Sequence, residues 1–187
     1  MTRLLTPRRS LFMLLLSLVT AATTLVGCAS QDIAKYAGER PVLELDQFFN
    51  GKVVAHGIFQ DRSGQVVRRF TVDMDGRWEG NQGVLDERFT YSDGKTERRI
   101  WRLTKSADGR YSGTADDVVG VASGRTAGNA FQWAYTLKLP VDGTVYEVQF
   151  DDWMYLVDER VMLNRATMSK FGVRLGEVTL SFHKQAP

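Results

Sequence analysis

The sequence predicts an all-β fold: one antiparallel up-and-down β-barrel of about eight or nine strands. Three observations predict it. Short runs rich in Val, Phe, Tyr, Trp and Thr recur from Val42 to the C-terminus. Breaks of the Asp-Gly or Ser-Gly type separate them, and these supply the positive φ that tight hairpin turns require. No stretch beyond residue 49 keeps a helical period, so consecutive hairpins have to close on one another to remove their exposed edges.

The first 27 residues stand apart from that pattern. Arg3, Arg8 and Arg9 precede the apolar run LFMLLLSLV, which is too short to span a bilayer and reads as a secretory signal. The Arg8-Arg9 pair fits a twin-arginine pattern only loosely, so general secretion is favoured. Leu25-Val26-Gly27-Cys28 resembles the lipobox of bacterial lipoproteins, in which the cysteine is diacylated and becomes the first residue. Lipidation of Cys28 by fatty-acyl chains such as palmitate makes an effectively permanent anchor, because two lipid signals already suffice. Ala29 is not the aspartate that typically retains such proteins in the inner membrane, so the expected location is the periplasmic face of the outer membrane.

Removing that segment changes the charge. The chain has 24 basic and 22 acidic residues; three arginines fall before residue 28, leaving 21 basic against 22 acidic. A near-neutral chain without a polybasic patch is not built for nucleic acid. Cys28 is the single cysteine, so no disulfide holds the fold. The 160 remaining residues suffice for one core, with a polar tether over 28–40 and a barrel domain over 41–187.

Within the barrel, residues 42–49 offer the one short helical candidate. Nine strands are expected at 52–60, 65–75, 83–92, 96–105, 110–116, 130–139, 144–157, 161–170 and 177–183. The clearest alternation places Phe131, Trp133, Tyr135, Leu137 and Leu139 on one face. The segment VVGVASGRTAGNA, at 118–130, is the longest break and reads as a candidate mobile loop at the barrel mouth.

Functional residues are fewer. In the strand TVYEVQFDDWMYL, Asp152 falls in the row of Tyr146, Val148, Phe150, Met154 and Leu156, where an unpaired carboxylate costs several kcal/mol. Three readings remain open: a β-bulge at Asp151-Asp152 that turns both outward and brings Trp153 and Tyr155 in, a buried ion pair with Arg68 or Arg165, or a ligand-contacting carboxylate. Bulging is the favoured one. The acidic pairs Asp116-Asp117 and Asp151-Asp152 lack the alternating pattern of a calcium loop and read as solvated turns. His56 and His183 are the only histidines, no nucleophile elbow occurs, and neither a metal nor a cofactor nor an enzymatic activity is expected.

Several motifs carry a family resemblance: Phe49-Asn50-Gly51, Gly57-Ile58-Phe59-Gln60-Asp61-Arg62, Leu85-Asp86-Glu87-Arg88-Phe89, Tyr111-Ser112-Gly113-Thr114-Ala115-Asp116-Asp117, Phe150-Asp151-Asp152-Trp153-Met154, and Asn164-Arg165-Ala166 followed by Met168-Ser169-Lys170-Phe171-Gly172. With them the chain resembles an uncharacterised family of lipocalin-like bacterial lipoproteins, domain-of-unknown-function family 3833. The resemblance implies a lipocalin/calycin-like barrel at the envelope, and it carries over no catalytic or binding residue. The expected function is a lipid-anchored periplasmic module that binds or carries an apolar lipid or fatty-acyl ligand. Asp152, Arg68, Arg165, Trp133 and Tyr135 are its candidate contacts. The alternatives are a filled barrel that docks an unknown envelope protein through surface positions such as Trp101, and, least supported, an enzyme acting on a lipid-like substrate through Asp152.

Overall fold

Ten strands, not eight or nine, form the barrel in a computed structural model that describes residues 31–141 and 143–186. The signal segment, the motif ending at Cys28, and Ala29 lie outside the described residues. The strands are β1 (Gly51–Asp61), β2 (Val66–Glu79), β3 (Gln82–Tyr91), β4 (Thr96–Lys105), β5 (Arg110–Thr114), β6 (Ala122–Ala127), β7 (Ala130–Val141), β8 (Thr144–Leu156), β9 (Val161–Lys170) and β10 (Val173–Lys184). Each pairs antiparallel with the next, and β1 pairs with β10 from Val53↔Lys184 to Asp61↔Gly176, which closes the sheet.

The strand that sequence reading missed is β6, inside the segment expected to be a mobile loop. Its residues ASGRTA lack the branched and aromatic side chains that mark strands, yet they pair with β5 and β7 on both sides. The reason is steric. A Cβ on Gly124 would lie 2.1 Å from the Gln132 carbonyl oxygen and 2.7 Å from the Trp133 ring. Small residues are required here so that Trp133 can pack over the strand, and the same smallness imitates a loop.

One end of the barrel is plugged. The chain enters through a 3-10 turn, Ile33–Tyr36, and a one-turn helix α1, Leu45–Phe48, within the span 42–49 expected to be helical. Leu43, Leu45, Phe48 and Phe49 are buried under the barrel floor beside Val53, Met74, Leu85 and Phe182. Gly76 makes the approach close: a Cβ there would fall 1.6 Å from the Phe49 carbonyl oxygen. Lys184, at the end of β10, donates from Nζ to the carbonyl oxygens of Gln47 (2.7 Å), Phe48 (2.8 Å) and Asn50 (2.7 Å), groups that a short helix leaves without partners of its own. Lys105 of β4 reaches the other side, donating to Glu44 (2.5 Å) and Asp46 (2.9 Å).

The segment read as a polar tether is tied to the wall from Ile33 onward. Ile33 and Tyr36 pack on the outer faces of Ala130, Trp153 and Tyr155. Trp101, expected on the surface, points inward and is 6% exposed, because β4 alternates with Arg99, Trp101 and Leu103 inside. Both histidines sit on the outer wall, their rings 5.8 Å apart.

The plug makes a prediction. Replacing Lys184 by Met keeps the apolar stem and removes three charge-assisted bonds, which should cost about 1–3 kcal/mol of stability. Amide exchange should accelerate at Phe48 and Phe49, whose N–H groups close the helix, and stay unchanged in β7 and β8. A stability loss without faster exchange at those two amides would contradict the assignment.

Candidate functional site

The register of β8 decides where Asp152 points. Pairing runs without a shift from Ala130↔Tyr155 to Val141↔Thr144 on one side and from Gln149↔Ser169 to Leu156↔Met162 on the other. The favoured bulge is therefore absent, and Asp152 faces the interior with Val148, Phe150 and Leu156, only 6% exposed. Trp153, on the opposite face, is also buried, because the Ile33–Tyr36 turn covers it from outside. Asp151 is on that outer face, where it accepts hydrogen bonds from Gln132 (2.7 Å) and Trp153 (3.1 Å). The two adjacent carboxylates thus serve opposite sides of the wall.

Neither arginine proposed as a partner reaches Asp152. Arg165 alternates outward between Asn164 and Ala166, and pairs with Glu177 on the outer wall (Nη2 2.5 Å). Arg68 does face inward, but it stands two residues into β2 whereas Asp152 lies eight residues into β8, so it belongs to a layer nearer the mouth. There it donates to Asp93 (3.1 Å), and its guanidinium lies 3.5 Å over the Tyr91 ring. The actual partners of Asp152 are neutral. Tyr135 donates from Oη to Oδ2 (3.2 Å), and Asn164 donates from Nδ2 to Oδ1 in a short hydrogen bond.

A second polar group lies in the same interior. Glu87 of β3 is buried, with the Arg99 guanidinium 3.7 Å away; Arg99 itself donates to Asp117 from Nε (2.9 Å) and Nη2 (2.7 Å). Burial pushes the Asp152 carboxyl up to about 7 against the lowering effect of its hydrogen bonds from Asn164 and Tyr135. Burial likewise raises Glu87 to about 7, since Arg99 is shared with Asp117. Arg99 is held above its ordinary range: burial alone would lower it, and the hydrogen bonds to Asp117 and the charge of Glu87 outweigh that. Desolvation also raises the Tyr135 phenol well above its usual value. Glu87, Arg99 and Asn164 were legible by the test applied to Asp152, because each interrupts an alternating apolar row: Leu85-x-Glu87-x-Phe89, Arg99-x-Trp101-x-Leu103, and Met162-x-Asn164-x-Ala166.

The rest of the interior divides along the barrel axis. Toward the plug it is packed ring to ring: Trp101 lies 5.7 Å from Trp133, and Tyr111 lies 5.6 Å from Phe131. Trp133, a candidate contact, belongs to this buried part, and Tyr135 lies above it, stacked on Phe150 at 5.0 Å. Toward the mouth the inward residues Phe59, Phe70, Phe89, Leu139 and Val178 are only partly buried. The polar group at mid-barrel thus lies beneath these partly buried residues, with Arg68 nearer the mouth, where Phe70 packs 6.1 Å from Phe89 and 5.7 Å from Tyr91. Two open depressions at the plugged end, beside Arg160 and Lys105, lie where hairpin tips meet the plug and bring no such groups together.

The raised carboxyls fix a pH dependence. A carboxyl whose folded pKa exceeds its unfolded value binds more protons in the native state between the two, so stability falls as pH rises from about 4 to about 7. Asp152→Asn removes one such group and matches the shape of the protonated carboxyl, its Oδ1 accepting from Asn164 and its Nδ2 facing the Tyr135 hydroxyl oxygen. The variant should be more stable than the wild type at pH 8, by up to a few kcal/mol, and close to it at pH 4. Thermal melting at the two values checks this, and an unchanged difference between them would refute the buried, neutral assignment.

Two solved structures share the architecture. The S-type phycobiliprotein lyase CPES from Guillardia theta aligns with a TM-score of 0.58 at 8% identity, covering 84% of this chain and 99% of that one. A protein of unknown function from the DUF3598 family, from Nostoc punctiforme, aligns with a TM-score of 0.53 at 12% identity, over 84% of this chain and 53% of that one. At these identities the likeness is one of fold. No curated protein matches the sequence. The family model for proteins of unknown function DUF3833 matches residues 22–184, in keeping with the motifs noted above, and the chain belongs to that family.

Proposed function

We propose that the protein is a binding module that holds an apolar ligand, of lipid or fatty-acyl character, in the mouth half of its barrel. One observation carries this reading: Phe59, Phe70, Phe89, Leu139 and Val178 keep accessible surface in the mouth half, whereas most inward side chains, including Leu137, Val148 and Met168 beside them, are buried, so these five would line a shallow bowl for the ligand. An apolar wall with a few convergent polar groups is the general form of a small-molecule site. The ligand's apolar part would lie against these rings, above the floor made by Tyr135, Asp152 and Glu87. Lipidation at Cys28 would hold the barrel at the periplasmic face of the outer membrane, where lipids and acyl chains are the abundant apolar cargo.

The packed lower half favours a second reading, a barrel whose interior is structural and whose function is to dock an envelope protein. Native mass spectrometry of mature protein taken from the envelope separates the two. The binding reading expects a co-purifying apolar mass. It also expects Val178→Trp, which fills the bowl from a half-buried position, to reduce that occupancy about tenfold or more while the protein still melts cooperatively. Clean apo protein, together with unchanged melting when fatty acids or phospholipids are added, would leave the interaction reading standing.

A further inference from the structure

We propose that the mouth end of the barrel docks on a lipid bilayer through the tips of its hairpins. Five connections surround the mouth, and four consecutive ones carry exposed apolar side chains: Val67 beside the β1–β2 turn, Val121 before β6, Val145 in the β7–β8 hairpin, and Phe171 and Val173 in the β9–β10 hairpin. The β3–β4 turn, with Asp93 and Lys95, carries none, and polar residues such as Arg62, Ser63 and Asp116 stand among the apolar ones on the other connections. By contrast, the large exposed apolar residues at the plugged end are fewer: Val157 in the β8–β9 turn, Val84 and Leu163 near the starts of β3 and β9, and Val42 in the entering segment. The asymmetry is a property of one end of the molecule.

Phe171 is the sharpest of these. It is 89% exposed and adopts φ of +51°, a left-handed conformation that a bulky side chain enters at a cost of roughly 1–2 kcal/mol and that Asn or Gly would take with little strain. Neither burial nor turn geometry within the chain accounts for an aromatic ring at that position. Lys170 lies beneath it, its ammonium 5.0 Å from the Phe171 ring and 5.2 Å from the Tyr146 ring. An aromatic tip with a lysine just behind it matches the layering of a membrane interface, the ring at the acyl boundary and the ammonium at the phosphates. Arg62 of the β1–β2 turn and Arg174 of β10, the latter paired with Glu177 at 2.9 Å, stand at the same end, where Asp61, Asp93 and Asp116 also lie.

The shape of the surface selects the occupant. A protein partner requires one closely packed complementary patch, whereas these side chains are distributed over four turns around the mouth. A fluid bilayer accepts separate protruding tips without matching shape, and each contributes by the area it buries. The docking stands whether or not the bowl carries cargo. Were both true, the bowl would open directly onto the acyl region.

The full acylated chain in vesicles of phosphatidylethanolamine and phosphatidylglycerol tests it. Cys28 is the only cysteine and the proposed lipidation blocks it, so Phe171→Cys gives one site for an environment-sensitive fluorophore. The expected result is a blue-shifted probe quenched by spin labels on the acyl chains, with a probe at Asp73→Cys on the mid-barrel wall unaffected. With the probe moved to Val67→Cys, adding Phe171→Asn should lower quenching about tenfold while leaving melting equal or raised, because the strained turn is relieved. A water-like, unquenched probe at position 171 would overturn the proposal. So would a shift that appears without lipid as protein concentration rises, which would indicate a second copy, or one that needs other envelope proteins.

Discussion

Closure of the sheet by β1 against β10 is the constraint from which the rest of this molecule follows. Nine paired positions, Val53↔Lys184 through Asp61↔Gly176, join the first strand to the last and leave no open edge among the described strands. A closed sheet of this size has an inside too large to ignore and too small for a second layer, so its contents have to come from inward side chains and from the chain ends. Closure also places Lys184 directly over the entering segment, where its ammonium fastens the carbonyl oxygens of residues 47, 48 and 50. The pairing that removes the edge therefore also supplies the clasp for the plug.

The two ends then diverge in character. At the floor, Leu45, Phe48 and Phe49 complete an apolar layer, and the close backbone approach at Gly76 leaves no room for more. At mid-height the interior turns polar, with Asp152, Tyr135 and Asn164 on one side and Glu87, Arg99 and Asp117 on the other. Asp152 is held by hydrogen bonds from Tyr135 and Asn164 and Asp117 by those from Arg99, while burial raises both the Asp152 and the Glu87 carboxyls to about 7. Above them the wall is aromatic and incompletely covered. A polar layer between a packed floor and a partly exposed aromatic wall is the arrangement on which the proposed ligand site rests.

Much of this was legible in the sequence, and the failures have physical causes. Nine strands were recognisable because branched and aromatic residues alternate in them. β6 escaped because packing beneath Trp133 demands small residues, which read as a loop. Asp152 was flagged correctly as a carboxylate in an apolar row, but the bulge was favoured because Trp153 and Tyr155 made the other face look equally apolar. At that height the outer face is apolar too, since Ile33 and Tyr36 cover Trp153 and Tyr155 from outside, and no local pattern announces a strap from a distant segment. The arginine partners failed for a related reason: alternation told which face Arg68 occupies, not its height along the barrel, and Asp152 is satisfied by the neutral groups of Tyr135 and Asn164.

By itself, the sequence determined what short-range periodicity and local chemistry can specify: antiparallel strands, glycine-bearing turns, the inward row of β7, the family, and a carboxylate in an otherwise apolar row. The tertiary structure alone decided the strand number, the partner of each buried charge, and the contrast between a plugged floor and an apolar rim. Those depend on register and on contacts between residues far apart in the chain, as between Lys184 and Phe48 or Arg99 and Asp117. Periodicity records which side of a strand faces inward. It carries no record of height along the barrel axis, and in a closed barrel height determines which side chains meet.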